Sequence, residues 1–216
     1  MTGHRFLLAG TTLAAMPSGA LWWADHALLA VSDLHLGRSD RIARRGGTLL
    51  PPYEVAETLT RLDADISRTS ARVVLCLGDS FDDLAAAELS EDHRLWLTRL
   101  MAGRRWIWIE GNHDPGPVDL PGEHLRDLTL GPLVFRHVAE PAARGEISGH
   151  YHPKARIAGA FRPAFLIDAA RVILPAYGAF TGGMEATRPP LCHLMMPGAI
   201  AWLTGPTPCA LPLKGR

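Results

Sequence analysis

The sequence predicts an α/β (α+β) domain in which two β-sheets pack face to face and helices lie outside them. The chain has 216 residues and a hydrophobic fraction of 47%, which suits one domain with a sizeable core. In the first half, short apolar runs alternate with helical patterns. The second half has many short strand-like runs and few helix signals. We therefore expect a single domain over residues 1–216.

The first half is predicted to form a meander and then three buried strands. Residues 4–15 and 20–24 are typical of meander strands. The segment from Arg5 to Ala20 also resembles a signal peptide, but the Pro-Ser-Gly turn within it favours strands. The buried strands are predicted at residues 27–32, 72–77 and 106–109.

Two helices are predicted between these buried strands. Residues 54–67 place four apolar side chains on one helical face, namely Val55, Leu59, Leu62 and Ile66. Residues 90–102 begin at Ser90, a candidate N-cap, and carry apolar residues at Leu95, Leu97, Leu100 and Met101. The second half predicts a mostly antiparallel sheet with strands near residues 132–137, 145–149, 156–161, 164–168, 171–174, 192–196 and 199–203.

Charge and cysteine content exclude few classes of function. Twenty-two basic residues balance 22 acidic ones, so the overall charge does not indicate a nucleic-acid-binding protein. A neutral total charge is nevertheless compatible with a local basic patch. The three cysteines are odd in number and irregularly spaced, which favours a reducing, cytoplasmic compartment over a disulfide framework. No apolar stretch approaches the ~20 residues that a membrane-spanning helix needs.

Four short polar motifs follow predicted strands in a fixed order along the chain. They are Asp33-Leu34-His35, Gly78-Asp79, Gly111-Asn112-His113-Asp114 and Gly149-His150-Tyr151-His152, with a lone His137 before the last one. Together they offer carboxylates, an amide oxygen and imidazoles, which can hold two divalent metals. Paired metals of this kind bind and hydrolyse phosphate esters.

Spacing supports this interpretation, although each motif also has an ordinary structural explanation. Residues two apart in an extended segment point to the same side, so Asp33 and His35 can reach one ion, and so can His150 and His152. Asp79 is a carboxylate able to bridge two ions. Taken singly, each motif could instead be a strand-end turn, and His137 could be an ordinary core or surface histidine.

The whole series, from Asp33 to His152, resembles the calcineurin-like metallophosphoesterase superfamily. The resemblance implies a double β-sandwich of two mixed sheets flanked by helices, with a two-metal centre. It implies that one metal is held by Asp33, His35, Asp79 and His152. It implies that the second metal is held by Asp79, Asn112, His137 and His150, with Asp79 bridging.

A narrower resemblance covers nearly the whole chain. The segments DLHLG, RIARRGG, GDSFDD, GHYHPKAR and LPAYGAFTGG are similar to the ligase-associated (PdeM-type) metallophosphoesterases, which are named DNA damage response endonucleases. This resemblance implies a DNA substrate. It also implies a DNA ligase, an exonuclease and a helicase as functional partners, and no membrane.

The predicted chemistry is hydrolysis of a phosphodiester by water. His113 is the candidate general acid for the leaving oxygen, and Asp114 is expected to orient it through its other ring nitrogen. The mixed ligand set suits Mn²⁺, Fe²⁺ or Zn²⁺ better than Ca²⁺, and the resemblance favours Mn²⁺.

The loop after the first motif is the candidate substrate-binding segment. It carries four arginines, Arg38, Arg41, Arg44 and Arg45, whose guanidinium groups suit phosphate oxygens. The alternative is a solvated helix face balanced by Asp40. Lys154 and Arg156 could extend the same patch.

Two other function classes stay open at this stage. One is a phosphoesterase or pyrophosphatase acting on nucleotides or nucleotide-sugar lipids. The other is a non-catalytic scaffold of the same fold, but such proteins usually lose metal ligands, and this chain keeps the full set. The leading prediction is a metal-dependent nuclease acting on DNA.

Overall fold

The molecule is built from two mixed β-sheets with few helices. The structure is a computed structural model that describes residues 3–39, 42, 53–82, 89–116 and 120–213. Within these residues, no helix is both long enough and apolar enough to cross a membrane.

Among the described residues, the first sheet contains seven strands, all between His4 and Leu125, in the order in which they occur along the chain. They are β1 His4–Leu8, β2 Thr11–Ala15, β3 Leu21–Trp23, β4 Leu28–Val31, β5 Val73–Leu77, β6 Arg105–Ile109 and β7 Glu123–Leu125. Pairs from β1 to β4 are antiparallel, and pairs from β4 to β7 are parallel. The meander and the three buried strands are therefore as predicted, and β7 was not anticipated.

Two helices cover the outer face of the first sheet. Helix α1, Glu54–Thr69, buries the apolar face expected from its periodicity. Helix α2, Glu91–Met101, begins after Ser90, whose hydroxyl accepts a hydrogen bond from the His93 amide at 3.4 Å. Leu95 was expected to be an apolar contact of α2, but its side chain is 61% exposed.

The second sheet contains nine strands among the described residues. They are β8 Asp127–Leu130, β9 Leu133–Arg136, β10 Glu146–Ser148, β11 Pro153–Ile157, β12 Ala160–Ile167, β13 Arg171–Ile173, β14 Met184–Glu185, β15 Ile200–Leu203 and β16 Cys209–Pro212. Most pairs are antiparallel, but β10 lies parallel to both β9 and β13, and β11 lies parallel to β14.

Two predicted strands of the second half were wrong. Residues 156–161 are not one strand, because the chain turns at Ala158 and Gly159, both with positive φ, between β11 and β12. Residues 192–196 are not a strand either, because helix α3, Leu191–Leu194, occupies this position. A short apolar run does not distinguish a buried strand from a helical turn.

Buried apolar side chains form three layers. One layer lies between the helices and the first sheet, the second lies between the two sheets, and the third covers the outer face of the second sheet. Strands β4, β5 and β6 contribute to the first two layers through alternate residues, which is why their sequences are continuously apolar. The sheets therefore pack face to face, as predicted.

Candidate metal centre

Three polar loops follow the parallel strands of the first sheet. Asp33 and His35 follow β4, Asp79 follows β5, and the segment from Asn112 to Asp114 follows β6. Because these strands are parallel and in register, their carboxyl ends meet at one edge of the sheet. The loops are joined directly, since the His35 amide donates to the Asp79 carbonyl at 2.9 Å.

The second sheet contributes three histidines in the same way. His137 follows β9, and His150 and His152 follow β10, which is parallel to β9. The Gly149 amide donates to the His137 carbonyl at 3.0 Å, which fixes the two loops to each other. Because the sheets pack face to face, these histidines lie against the carboxylates of the first sheet.

One cluster of potential ligand atoms contains Asp33, His35 and His152, whose ligand atoms lie within 4.8 Å of one another. His152 Nε2 is 3.3 Å from Asp33 Oδ1 and 3.2 Å from His35 Nε2. Asp33 and His35 are buried, and His152 is partly exposed. We call this cluster the first triad.

A second cluster contains Asp79, His137 and His150 within the same spacing, and we call it the second triad. His137 Nε2 is 3.4 Å from Asp79 Oδ2 and 3.1 Å from His150 Nδ1. The amide oxygen of Asn112 lies 3.0 Å from the same His137 nitrogen. The triads adjoin, because His137 Nδ1 is 3.9 Å from Asp33 Oδ1.

Backbone and carboxylate acceptors fix the tautomers of two of these histidines. His137 Nδ1 is 2.8 Å from the Leu77 carbonyl, and His35 Nδ1 is 2.8 Å from Asp82 Oδ1. Such acceptors require a hydrogen on Nδ1, so each Nε2 turns its lone pair toward the cluster. In the second triad this lone pair meets the oxygens of Asp79 and Asn112. When His137 is neutral, these electron pairs converge without a donor between them, and a divalent cation fits this arrangement. When His137 is protonated, its Nε2–H takes the place of such a cation beside Asp79.

The electrostatics of the cluster are consistent with a cation site. Burial opposes ionisation of Asp33, but the hydrogen bond and charge of His152, together with the charge of His137, lower the pKa of Asp33. The pKa of Asp79 is also lowered, because the hydrogen bond and charge of His137, the hydrogen bond from the His113 amide and the charge of His35 together outweigh burial. Burial disfavours the charged form of His137, yet Asp79 and Asp33 raise its pKa to about 9. Two ionised carboxylates therefore hold positive charge between them.

The backbone geometry of the motifs differs from the extended segments that were expected. Five non-glycine residues of the triads have positive φ, namely Asp33 (53°), His35 (46°), Asp79 (47°), His150 (69°) and His152 (46°). Such left-handed conformations are uncommon outside glycine and are concentrated at functional sites. Asp33 and His35 therefore share a cluster because the backbone is left-handed at both residues, and not because of strand alternation.

A glycine allows the two sheets to approach closely here. A Cβ atom at Gly149 would lie 1.6 Å from the Ser32 hydroxyl and 2.7 Å from Asp33 Oδ2. The amide of the next residue, His150, donates to both oxygens of Asp33, at 3.2 and 3.0 Å. The glycine before the last motif is thus needed for close packing against the first motif.

His113 lies beside the first triad, with its ring centre 5.3 Å from that of His35. Its Nδ1 is 2.9 Å from the Asp82 carbonyl oxygen, which can only accept, so Nδ1 carries a hydrogen. The prediction that Asp114 orients this ring was wrong. The Asp114 carboxylate instead accepts from four backbone amides at 2.8–3.2 Å, those of Asp79, Ser80, Phe81 and Gly111.

Asp82 is the residue that sequence reasoning missed. It is fully buried, its carboxylate accepts from His35, and its carbonyl accepts from His113. The available signal was that Asp82 is the first aspartate after Gly78-Asp79, in the segment GDSFDD.

The predicted basic patch is described only in part. Arg38 is partly exposed, and its Nη1 lies 3.5 Å from Asp82 Oδ1, next to the first triad. Arg41, Arg44 and Arg45 lie outside the described residues. Lys154 donates to the Thr181 carbonyl at 3.3 Å, and the Arg156 guanidinium lies over the Phe161 ring.

Comparisons with known proteins agree with this geometry. Residues 26–180 match the model of the calcineurin-like phosphoesterase family. The crystal structure of nuclease MPE from Pseudomonas putida is similar, with a TM-score of 0.74 and 25% sequence identity over 94% of this chain and 98% of that one. No curated protein matches the sequence. The resemblance predicted from the motifs is thus confirmed, and this chain belongs to the calcineurin-like phosphoesterase family of metal-dependent phosphoric ester hydrolases.

Proposed function

We propose that this protein is a two-metal phosphodiesterase that cleaves the backbone of DNA. The observation that carries the proposal is the pair of adjoining triads. In these triads, ionised carboxylates and imidazole lone pairs converge where strands of both sheets have their carboxyl ends. The similarity to a nuclease over nearly the whole chain supports a phosphodiester as the substrate.

In this proposal Asp33, His35, Asp79 and His152 would hold one metal. Asp79, Asn112, His137 and His150 would hold the second metal, with Asp79 shared between the two sites. When bound, the two ions supply Lewis acidity to the phosphate oxygens and make water a nucleophile near neutral pH. The mixed oxygen and nitrogen ligands favour Mn²⁺, with Fe²⁺ or Zn²⁺ as the alternatives.

We assign the protonation of the leaving oxygen to His113. Its Nδ1–H donates to the Asp82 carbonyl, which fixes the ring and leaves Nε2 as the nitrogen that can transfer a proton. The ring is partly exposed and lies beside the first triad, where a phosphate at the metals would present its leaving group. Asp114 supports this loop indirectly, because its carboxylate holds the backbone of Asp79 and Gly111 together.

The assignment of DNA-contacting arginines rests on their charge and on the family resemblance. Arg38 lies next to the first triad, and we propose that Arg38, Arg41, Arg44 and Arg45 contact the DNA backbone. A cytoplasmic repair role with a DNA ligase, an exonuclease and a helicase as functional partners is proposed on resemblance alone.

Metal removal and substrate screening test the proposal. Protein stripped with EDTA should hydrolyse no phosphodiester, and Mn²⁺ should restore hydrolysis of an aryl phosphodiester and of DNA. Asp168→Asn is the matched control, because Asp168 is a buried carboxylate that accepts backbone amides outside the triads and should leave metal dependence unchanged. Hydrolysis that survives chelation would refute the metal chemistry. Activity confined to nucleotides or pyrophosphates would refute the DNA assignment.

A further inference from the structure

Two exposed aromatic side chains meet near the metal centre. Tyr53, immediately before α1, is 58% exposed, and Phe180 is 44% exposed. Their ring centres are 6.4 Å apart and their planes lie at 63°. We call them the aromatic pair.

The loop that carries Phe180 is fixed at both ends to residues of the first triad. The Gly178 amide donates to the Asp33 carbonyl at 3.1 Å, and the Met184 amide donates to the His152 carbonyl at 3.2 Å. Phe180 therefore lies on a segment that runs from one candidate metal ligand to another. Its backbone has a φ of 56°, which is uncommon for a bulky aromatic residue.

Tyr53 approaches the same region from the other side. The neighbouring Glu54 accepts a hydrogen bond from the Ser39 amide at 3.2 Å, and Ser39 directly follows Arg38. Since the Arg38 guanidinium reaches Asp82 beside the first triad, the start of α1 is held at the edge of the metal centre. The aromatic pair thus lies on two segments that are both hydrogen-bonded to the border of the metal centre.

A single exposed apolar side chain needs no explanation. Among the described residues, one other Phe, Tyr or Trp side chain is exposed, and a cation covers its ring. That ring, Phe161, lies under the Arg156 guanidinium, 5.7 Å from its centre. The pair packs edge to face and leaves ring surface open to solvent at the site. Open aromatic faces are the elements on which proteins stack unpaired nucleobases.

We propose that Tyr53 and Phe180 form a stacking subsite for an unpaired nucleobase next to the scissile phosphate. The inference rests on the proposed function and adds the residues that would contact the base beside the scissile phosphate. In a duplex the base faces are covered by their neighbours, so the subsite would be usable only after unstacking.

The test compares a single-stranded DNA oligonucleotide with the same strand lacking bases at its central positions. Cleavage in Mn²⁺ and binding by fluorescence anisotropy are measured for wild type, Tyr53→Leu and Phe180→Leu. Leucine keeps apolar surface and removes the aromatic face. Each substitution should weaken binding of the complete strand roughly 5- to 150-fold, the range for one stacked base, and should leave the abasic strand unchanged. Phe161→Leu is the matched control and should resemble wild type on both strands.

The possible results separate this subsite from the proposed function. Equal losses on both strands, or no loss on either, would overturn the stacking subsite, and so would a wild-type protein that prefers duplex. If wild type binds the complete strand more tightly than the abasic one but cleaves neither, the proposed hydrolysis fails while the subsite stands. Circular dichroism of each variant identifies misfolding, and the more conservative Tyr53→Phe and Phe180→Tyr should then restore preference for the complete strand.

Discussion

Replacement of Asp82 should weaken metal binding although Asp82 is not a proposed ligand. Its carboxylate lies 2.8 Å from His35 Nδ1, and neither side chain is more than 3% exposed. The bond fixes the tautomer of His35 and makes Nε2 a stronger donor to a metal. Asp82→Asn keeps an oxygen that can accept this hydrogen but loses the negative charge. Asp82→Ala removes both.

The size of the effect follows from this contact. A hydrogen bond to a charged group contributes about 1.5–3 kcal/mol, and a tenfold change in affinity corresponds to about 1.4 kcal/mol. Losing the contact should therefore reduce metal affinity about 10- to 100-fold, which is also the usual range for residues that support metal ligands. We expect the loss of metal affinity to be near the lower limit for Asp82→Asn and near the upper limit for Asp82→Ala.

The assay is a Mn²⁺ titration of metal-free protein by calorimetry, followed by activity measured against Mn²⁺ concentration. Excess Mn²⁺ should restore much of the activity of Asp82→Asn, because the change acts through affinity. Asp168→Asn should titrate like wild type, since its carboxylate contacts backbone amides elsewhere. An Asp82→Ala protein whose Mn²⁺ affinity stays within about twofold of wild type would refute the supporting role, given the 10-fold minimum expected.

Two further changes test other parts of the molecule. His113→Ala should lower kcat by about 10²–10⁴-fold with unchanged metal content, and a loss below about threefold would show that His113 is not the acid. Burial and the charge of Asp65 raise the pKa of Tyr177 well above its ordinary value of about 10. Its contribution to stability is therefore complete below pH ~10 and is lost as the pH rises beyond that value. Urea unfolding at pH 9 and 11 should show a steeper loss of unfolding free energy in wild type than in Tyr177→Phe, and parallel losses would contradict this reasoning.

The sequence was sufficient to locate the proposed ligands. Short apolar runs identified β4, β5 and β6, and the polar residues just beyond them could only lie at one edge of a parallel sheet. The periodicity of residues 54–67 likewise predicted α1, which extends to Thr69. These features depend on local pattern, which a single sequence carries directly.

The supporting contacts could not be predicted, because they join distant parts of the chain. Asp82 and His35 are 47 positions apart, and no local spacing relates them. Asp114 was expected to contact its neighbour His113, yet its carboxylate satisfies amides of the loop after β5, whose position depends on the packed sheet. His137 has no motif around it, so only the family resemblance grouped it with the metal ligands, and its Nε2 lies 3.4 Å from Asp79 Oδ2.

Each triad combines residues from both sheets, and this has a consequence for the order of synthesis. The first triad is complete only with His152, and the second only with His137 and His150. A chain growing from its N-terminus therefore holds neither triad until the segment from His137 to His152 has been made. If the triads are the catalytic centre, a truncated or unfinished product carries no hydrolytic activity that could damage nucleic acid.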